Sequence, residues 1–233
     1  MALARLAERV AGWLDHWRGT HGISLAQHEV FRREGGGRLL LHAGCGGYRK
    51  KDILSPPLRS ARWREIRLDI DPTAQPDILG DVLDMRGVPD GAVDAVYSAH
   101  MIEHLPYHDV PRALSEMTRV LAPDGLLVAV APDLQQAARM IADGRLFDLF
   151  YESAAGPVTP YDVVFGYRPY LREHPYMAHR GGFTADSLAA ALREAGFPSV
   201  AVRAIRLDLY ALASRVSLDD NELQRQADVF FPE

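Results

Sequence analysis

The chain has 233 residues, and 26 Lys and Arg against 31 Asp and Glu leave a formal charge of −5. Apolar residues are 48% and charged residues 24%, the composition of a soluble globular domain and not of a disordered chain, which is poor in apolar residues and high in net charge. The acid excess argues against nucleic-acid partners, the single cysteine, Cys45, excludes an intrachain disulfide framework and a Cys-rich zinc site, and no apolar run approaches the roughly 20 residues that cross a bilayer.

Ala2–Trp17 reads as an amphipathic helix, with Leu3, Leu6, Val10, Trp13, Leu14 and Trp17 on one face at three- and four-residue spacing. Its polar face mixes Arg5, Arg9 and Arg18 with Glu8 and Asp15, which suits packing on the domain or on a second copy better than lying on a membrane. Arg5, Glu8 and Arg9 also interrupt any apolar leader, so the expected location is cytoplasmic. After a glycine loop at Arg32–Gly37, Arg38–Ala43 is a short apolar strand that runs into Gly44-Cys45-Gly46-Gly47. Glu65–Ile70 is a second strand, Asp77–Leu79 a third and Ala92–Ser98 a fourth. Tyr107–Leu121 is a helix with Val110, Leu114, Met117, Val120 and Leu121 as its apolar positions, and Pro123-Asp124-Gly125 is a turn. Leu126–Ala131 is a fifth strand, apolar throughout, as parallel strands covered on both faces are. Strands alternating with helices predict an α/β doubly wound sheet.

Leu134–Arg180 breaks the rhythm with five tyrosines (Tyr151, Tyr161, Tyr167, Tyr170, Tyr176) and four prolines. It is expected to be an insert, helical over Leu134–Tyr151 and irregular beyond, of a length that usually serves function. Thr184 caps a helix through Ala195, which Gly196 stops. Ser199–Ile205 and Leu207–Ser214 are the last strands, expected as an antiparallel edge. The layout is an N-terminal extension at 1–31, a domain at 32–217 with the insert at about 134–180, and a C-terminal tail at 218–233.

Gly44 and Gly46, directly after a buried strand, let the backbone turn sharply and approach a ligand. An acidic residue at the end of the second strand, roughly 20 residues on, would take a ribose hydroxyl pair, and Asp69 stands there. The third glycine of the dinucleotide fingerprint is replaced by Arg49, and Pro56 and Pro57 leave little room for a long first helix whose N-terminus would hold a pyrophosphate. The pocket is therefore expected to take a nucleoside without a phosphate chain, which counts against a nicotinamide oxidoreductase.

Four stretches, in order, resemble the motifs of Rossmann-like, class I S-adenosylmethionine-dependent methyltransferases of the small-molecule, type-11 kind. His42-Ala43-Gly44-Cys45-Gly46 resembles the glycine-rich motif, Leu68-Asp69-Ile70-Asp71 the ribose motif, Leu79-Gly80-Asp81-Val82-Leu83 the adenine motif and Val93 through Leu105 the fourth-strand motif. Ala113 through Gly125 resembles the helix and turn before the fifth strand, and a weaker echo runs from Gly182-Phe183-Thr184 to Gly196-Phe197. The resemblance covers residues 38 to about 135. It implies a mostly parallel seven-stranded sheet with an antiparallel last strand and flanking helices. The insert leaves at Pro132-Asp133, past the carboxyl end of the fifth strand, and returns at Gly181-Gly182, so it is expected to form a lid over the cleft. It implies S-adenosylmethionine as cofactor, bound by Ala43, Gly44, Cys45, Gly46, Asp69, Ile70, Asp81, Val82, Ala99 and His100, with Asp81 accepting from the adenine amine and Val82 donating its backbone N–H.

Above the carboxyl ends of the fourth and fifth strands, His179, His100 and His104 are the candidate catalytic groups, and Asp133, Tyr170, His174 and His179 the candidate acceptor contacts. The implied reaction is methyl transfer to a small molecule or saccharide-like metabolite; the alternative is a catalytically silent methyltransferase-like partner protein. Nucleic acid is not the expected substrate, although Arg32, Arg33, Arg49, Lys50 and Lys51 form a local basic cluster. The N-terminal helix and the insert are the two surfaces expected to serve a homodimer. Cys45 reads as a small turn residue and not a nucleophile, since small residues at this spot simply fit the turn. His100, Glu103 and His104 spell H-x-x-E-H, a zinc-protease pattern that needs a helix and a further ligand. Here it directly follows a strand and Pro106 blocks a helix, so no metal is expected.

Overall fold

The computed structural model describes residues 30–33, 36–153 and 155–232; the helix expected at Ala2–Trp17, and any dimer contact through it, lie outside them. In chain order the strands are β1 (Arg38–Ala43), β2 (Trp63–Asp69), β3 (Ile78–Leu79), β4 (Val93–Ala99), β5 (Leu121–Pro132), the short β6 (Tyr151–Ser153) and β7 (Gly156–Val158), then β8 (Ser199–Ile205) and β9 (Asp208–Ser214). The helices are α1 (Val110–Val120), α2 (Leu134–Ala142), α3 (Pro160–Phe165), α4 (Arg168–Leu171), α5 (Ala185–Glu194) and α6 (Asp220–Phe230). Seven strands form one sheet in the order β3-β2-β1-β4-β5-β9-β8, and β6 and β7 form a separate hairpin. The first five strands pair in parallel and β9 runs antiparallel to both its neighbours, the mostly parallel doubly wound sheet expected. The reversed strand is the last in the chain, as expected, and with β8 it forms the antiparallel end of the sheet. A tight turn at Arg206 (φ 58°) sends β9 back into the slot beside β5, and β8 becomes the edge.

Side chains alternate across the sheet and build two cores. Leu39, Leu41, Ile66, Leu68, Val96 and Leu127 face α1 and α5, which present Leu114, Met117, Leu188 and Leu192. Leu40, Ala95, Tyr97, Val128 and Leu212 face the other way. On that side the first helix is absent, as the prolines implied, and two one-turn 3-10 helices, Lys50–Asp52 and Pro56–Arg59, stand in its place. They are tied down by polar bonds: Lys50 N–H donates to Glu65 (2.9 Å) and Leu54 N–H to the Tyr97 hydroxyl (2.9 Å). α6, lying in the stretch read as a polar tail, packs Ala227 against the same core, and Phe231 follows it into the interior. Among the described residues no helix is long and apolar enough to cross a membrane.

The insert is more ordered than its composition suggests. α2 ends at Ala142, well before Tyr151, because Asp143 and Gly144 (φ 78°) stop it. Further on, the buried Asp162 organises the chain. Its carboxylate accepts from the Thr159 N–H (2.9 Å) and hydroxyl (2.6 Å) as the cap of α3, and from the Arg168 guanidinium (2.7 Å) and N–H (3.1 Å). Burial alone would raise the Asp162 pKa; these donors, Arg168 foremost, outweigh it and bring it from the ordinary 3.8 to about 2. A carboxyl depressed by folding stabilises above its unfolded pKa, and that contribution disappears as pH falls from about 4 towards 2. Asp162→Asn is therefore expected to lower stability by about 2 kcal/mol at neutral pH and to flatten the acid limb of the unfolding profile. Denaturant melts of both proteins across that range check it, and coincident curves would show that the insert holds without this carboxylate.

Candidate functional site

From β1 the chain moves outward to β2 and β3 and returns to β4 on the opposite side of β1, so the sheet reverses direction between β1 and β4. Open α/β sheets bind ligands in the crevice beyond the carboxyl ends at such a point. Residues 44–47 leave β1 there. Gly44 (φ 69°) and Gly46 (φ 49°) both take the left-handed conformation that favours glycine. The N–H groups of Gly44 and Cys45 both donate to the Leu68 carbonyl on β2, at 2.9 and 3.1 Å. A Cβ on Gly44 would lie 2.2 Å from Cγ of Met101, just past β4, so close packing forbids a side chain as firmly as the dihedral does. Burial, then the neighbouring Asp69, push the Cys45 thiol up to about 12, which keeps it protonated and unreactive.

Asp69 closes β2 and is 9% exposed. Its Oδ2 accepts from Gly46 N–H (2.7 Å) and its Oδ1 from Asp71 N–H (2.8 Å). Each oxygen keeps acceptor capacity, so the carboxylate can shape the glycine turn and still receive two hydroxyls. Ile70 follows, exposed on the surface. Gly80 N–H donates to the Asp69 carbonyl (2.9 Å), which brings the next loop alongside. In that loop the Asp81 side chain accepts from Leu83 N–H (2.9 Å), forming a turn around the buried Val82.

Sequence reasoning missed Arg67. Its side chain is only 3% exposed, and its guanidinium donates to the carbonyls of Gly46 (2.7 Å), Tyr48 (3.0 Å), Ala74 (3.1 Å) and Gln75 (2.7 Å). It stitches the glycine turn to the loop that follows Asp69. The signal was faint: Arg67 stands between Ile66 and Leu68, but the strand also carries Arg64, Glu65 and Asp69, and nothing in the pattern tells which arginine is buried and fully hydrogen-bonded.

Ala99 ends β4, and His100 beyond it adopts φ 49° with its N–H bonded to Val130 O (2.9 Å). The ring is 39% exposed, with Nδ1 3.5 Å from Glu103 and Nε2 3.9 Å from Asp208. Burial works against its charge, but Glu103, then Asp208, outweigh it and raise the His100 pKa. Tyr151 on β6 stands near Asp208 and Glu103; burial foremost pushes its phenol up to about 12, so it remains an O–H donor. His104 and His179 meet edge to face with ring centroids 4.9 Å apart, His179 arriving from the returning end of the insert. The three histidines expected near the ends of β4 and β5 thus come together, joined by Asp208 and Tyr151, which sequence reasoning had not placed there.

The other expected acceptor contacts have different occupations. Asp133 lies near Asp208 but is buried, its carboxylate accepting from Gln135 N–H (2.9 Å) as the cap of α2. Tyr170 is 44% exposed and touches the rings of Tyr167 and His174. His174 Nδ1 lies 2.9 Å from the Tyr176 hydroxyl, which donates to Asp71 (2.6 Å), so this pair latches the insert to the loop beyond Asp69.

A family model described as a methyltransferase domain matches residues 41–129, the span from β1 into β5. Residues 41–129 match a methyltransferase domain, set in a sheet of class I, Rossmann-like order. A curated relative, the probable methyltransferase ltbC of Aspergillus luteorubrus, is 43% identical over 49 residues, which are 21% of this chain and only 17% of that protein. A SAM-dependent methyltransferase structure from Archaeoglobus fulgidus is similar with a TM-score of 0.51 at 15% identity, over 77% of this chain and 86% of that one. A possible exported protein from Bordetella parapertussis has a TM-score of 0.51 at 15% identity, over 82% of this chain and 66% of that one. At such identities the likeness is one of fold. S-adenosylmethionine is the cofactor of this domain class, and the methyltransferase domain fits it. Asp69 has acceptors to spare beside the turn, a Cβ at Gly47 would meet nothing within 4 Å, and Arg49 replaces the glycine that a dinucleotide pyrophosphate would need.

Proposed function

We propose that the chain transfers the methyl group of S-adenosylmethionine to a heteroatom of a small molecule, a saccharide-like metabolite included, held between the end of β4 and the insert. The observation that carries the reading is the Asp69 carboxylate bonded to Gly46 N–H at 2.7 Å, an acid that shapes the glycine turn and faces the crevice with unused acceptor capacity. S-adenosylmethionine supplies a methyl group on a positively charged sulfur. The chain's task is to align donor and acceptor, and to remove a proton where the acceptor carries one at neutral pH. In this reading residues 43–46, Asp69, Asp81 and Val82 hold the nucleoside. His100, at the end of β4 and backed by Glu103, takes the proton. Tyr151 and Asp208 offer a donor and an acceptor suited to hydroxyl groups. Activity is favoured over a silent partner because the whole set of nucleoside-binding positions is present.

Asp69→Ala removes a charged acceptor and leaves two backbone N–H groups unpaired. Its affinity for S-adenosylhomocysteine by calorimetry is expected to fall about 10- to 100-fold, corresponding to about 1.5–3 kcal/mol. Unchanged affinity would overturn the site. Methyl transfer from labelled S-adenosylmethionine into the small-molecule fraction of a cell extract tests the activity itself. Tight cofactor binding with no label in any fraction would favour the silent partner.

A further inference from the structure

Glu103 belongs to a one-turn 3-10 helix, Ile102–His104, immediately beyond β4. Its side chain is 1% exposed, and neither carboxylate oxygen accepts a hydrogen bond from a described residue. A buried carboxylate without hydrogen bonds is costly unless a cation accompanies it. Its nearest cationic group, His100, stops at 3.5 Å. His104 and His179 also stand near it. His104 Nδ1 lies 3.3 Å from the Ala178 carbonyl and His179 Nδ1 lies 2.7 Å from the Val163 carbonyl. A carbonyl can only accept, so each Nδ1 carries the proton and each Nε2 keeps its lone pair. Histidines that ligate metals are oriented in this way, by a backbone carbonyl on the ring nitrogen that does not ligate. One ligand atom from each of Glu103, His104 and His179 lies within 4.8 Å of the others.

We propose that Glu103, His104 and His179 bind one divalent transition-metal ion, which joins the sheet core to the returning end of the insert. Two imidazoles and one carboxylate are a donor set for zinc and its first-row neighbours, while magnesium and calcium prefer all-oxygen shells. Zinc–ligand bonds of about 2.0–2.1 Å place tetrahedral ligand atoms about 3.4 Å apart, so ligand atoms within 4.8 Å of one another need to draw in by at most about 1.4 Å. The H-x-x-E-H spacing alone does not make a zinc-protease site, which needs a helix and a further ligand. Here the further ligand comes from the insert, and His100 is not part of the shell. The backbone already holds the parts in place: the Glu103 carbonyl accepts from Arg180 N–H (2.8 Å) and Gly181 N–H (3.0 Å), immediately beyond His179. The site stands on this geometry alone and does not depend on which acceptor the domain methylates.

The test uses the full chain, stripped with a chelator, dialysed, and titrated separately with zinc chloride and cobalt(II) chloride. Calorimetry and elemental analysis are expected to give one ion per chain, and cobalt to give visible ligand-field absorption with a tetrahedral or five-coordinate signature. Glu103→Gln preserves volume and removes a buried charge, so it should fold; with His104→Ala and His179→Ala it is expected to lose at least about a hundredfold in zinc affinity. Zinc should raise the melting temperature of the wild type and not of Glu103→Gln. His108→Ala, which alters a surface histidine, should bind one ion as the wild type does. Absence of a stoichiometric ion in the wild type, or wild-type affinity in folded Glu103→Gln, would overturn the proposal.

Discussion

Gly44→Ala is expected to lower stability by about 2–5 kcal/mol and to weaken cofactor binding about 5- to 30-fold. Two separable terms produce the stability loss. A side chain at φ 69° costs about 1–2 kcal/mol in the left-handed conformation. Its Cβ would also lie 2.2 Å from Met101 Cγ and 2.8 Å from Met101 Cβ, the second of which no side-chain rotation can move, and such overpacking costs about 1–3 kcal/mol. The binding loss follows from the first term. If the turn leaves the left-handed region to relieve strain, the binding-competent form becomes a minority, and affinity falls by that fraction. The double variant Gly44→Ala/Met101→Ala separates them, because it removes the 2.2 Å contact with Cγ and leaves the dihedral and the 2.8 Å contact with Cβ. Part of the clash-derived stability loss should be recovered, offset by the cavity at position 101, while the affinity loss persists. Thermal melts and calorimetry with S-adenosylhomocysteine measure both, and wild-type values in Gly44→Ala would show that the turn has another conformation available.

What the sequence displayed locally, the structure bears out in place. The β1 run followed by glycine, the acid at the end of β2 and the apolar β5 each carry their signature within a few neighbouring residues. Pro56 and Pro57 announced the missing first helix in the same way. The features that escaped depend on contacts distant in the chain. A hairpin of β8 and β9 satisfies the same alternation whichever strand lies inside, so the position of β9 was open until β5 was seen to pair with it. α6 has a mostly polar surface and few buried side chains, and only the exposed core left by the short 50–59 segment explains why it docks. His179 meets His104 because the insert's path is set elsewhere. Asp162 fixes the fold of α3 and α4, and Gly166 lets the chain pass so closely that a Cβ there would lie 2.5 Å from the Met177 carbonyl. None of these crossings leaves a periodic mark.

Arg67→Met should reduce stability by about 2–4 kcal/mol while raising the KM for S-adenosylmethionine more than it lowers kcat. Hydrogen bonds from a charged donor contribute about 1.5–3 kcal/mol each, but the carbonyls of Tyr48, Ala74 and Gln75 lie in loops that water reaches, and removing a buried cation returns part of its desolvation cost. The net loss is therefore well below the sum of four bonds. Met retains most of the apolar stem, so the deficit reports the guanidinium and not a cavity. Arg67→Lys is expected to be no better than Met, because one ammonium cannot span carbonyls from both loops and remains a buried charge with fewer partners. Without the guanidinium, the glycine turn and the loop beyond Asp69 are no longer held to each other, and the cofactor must order them as it binds. That cost falls on association, which is why KM should carry the effect; Asp69 and His100 keep their own contacts. Denaturant unfolding and initial-rate kinetics on the same preparations decide it. A stable Arg67→Met protein with unchanged KM would mean that the two loops hold their arrangement independently, and that Arg67 only fills the end of the strand.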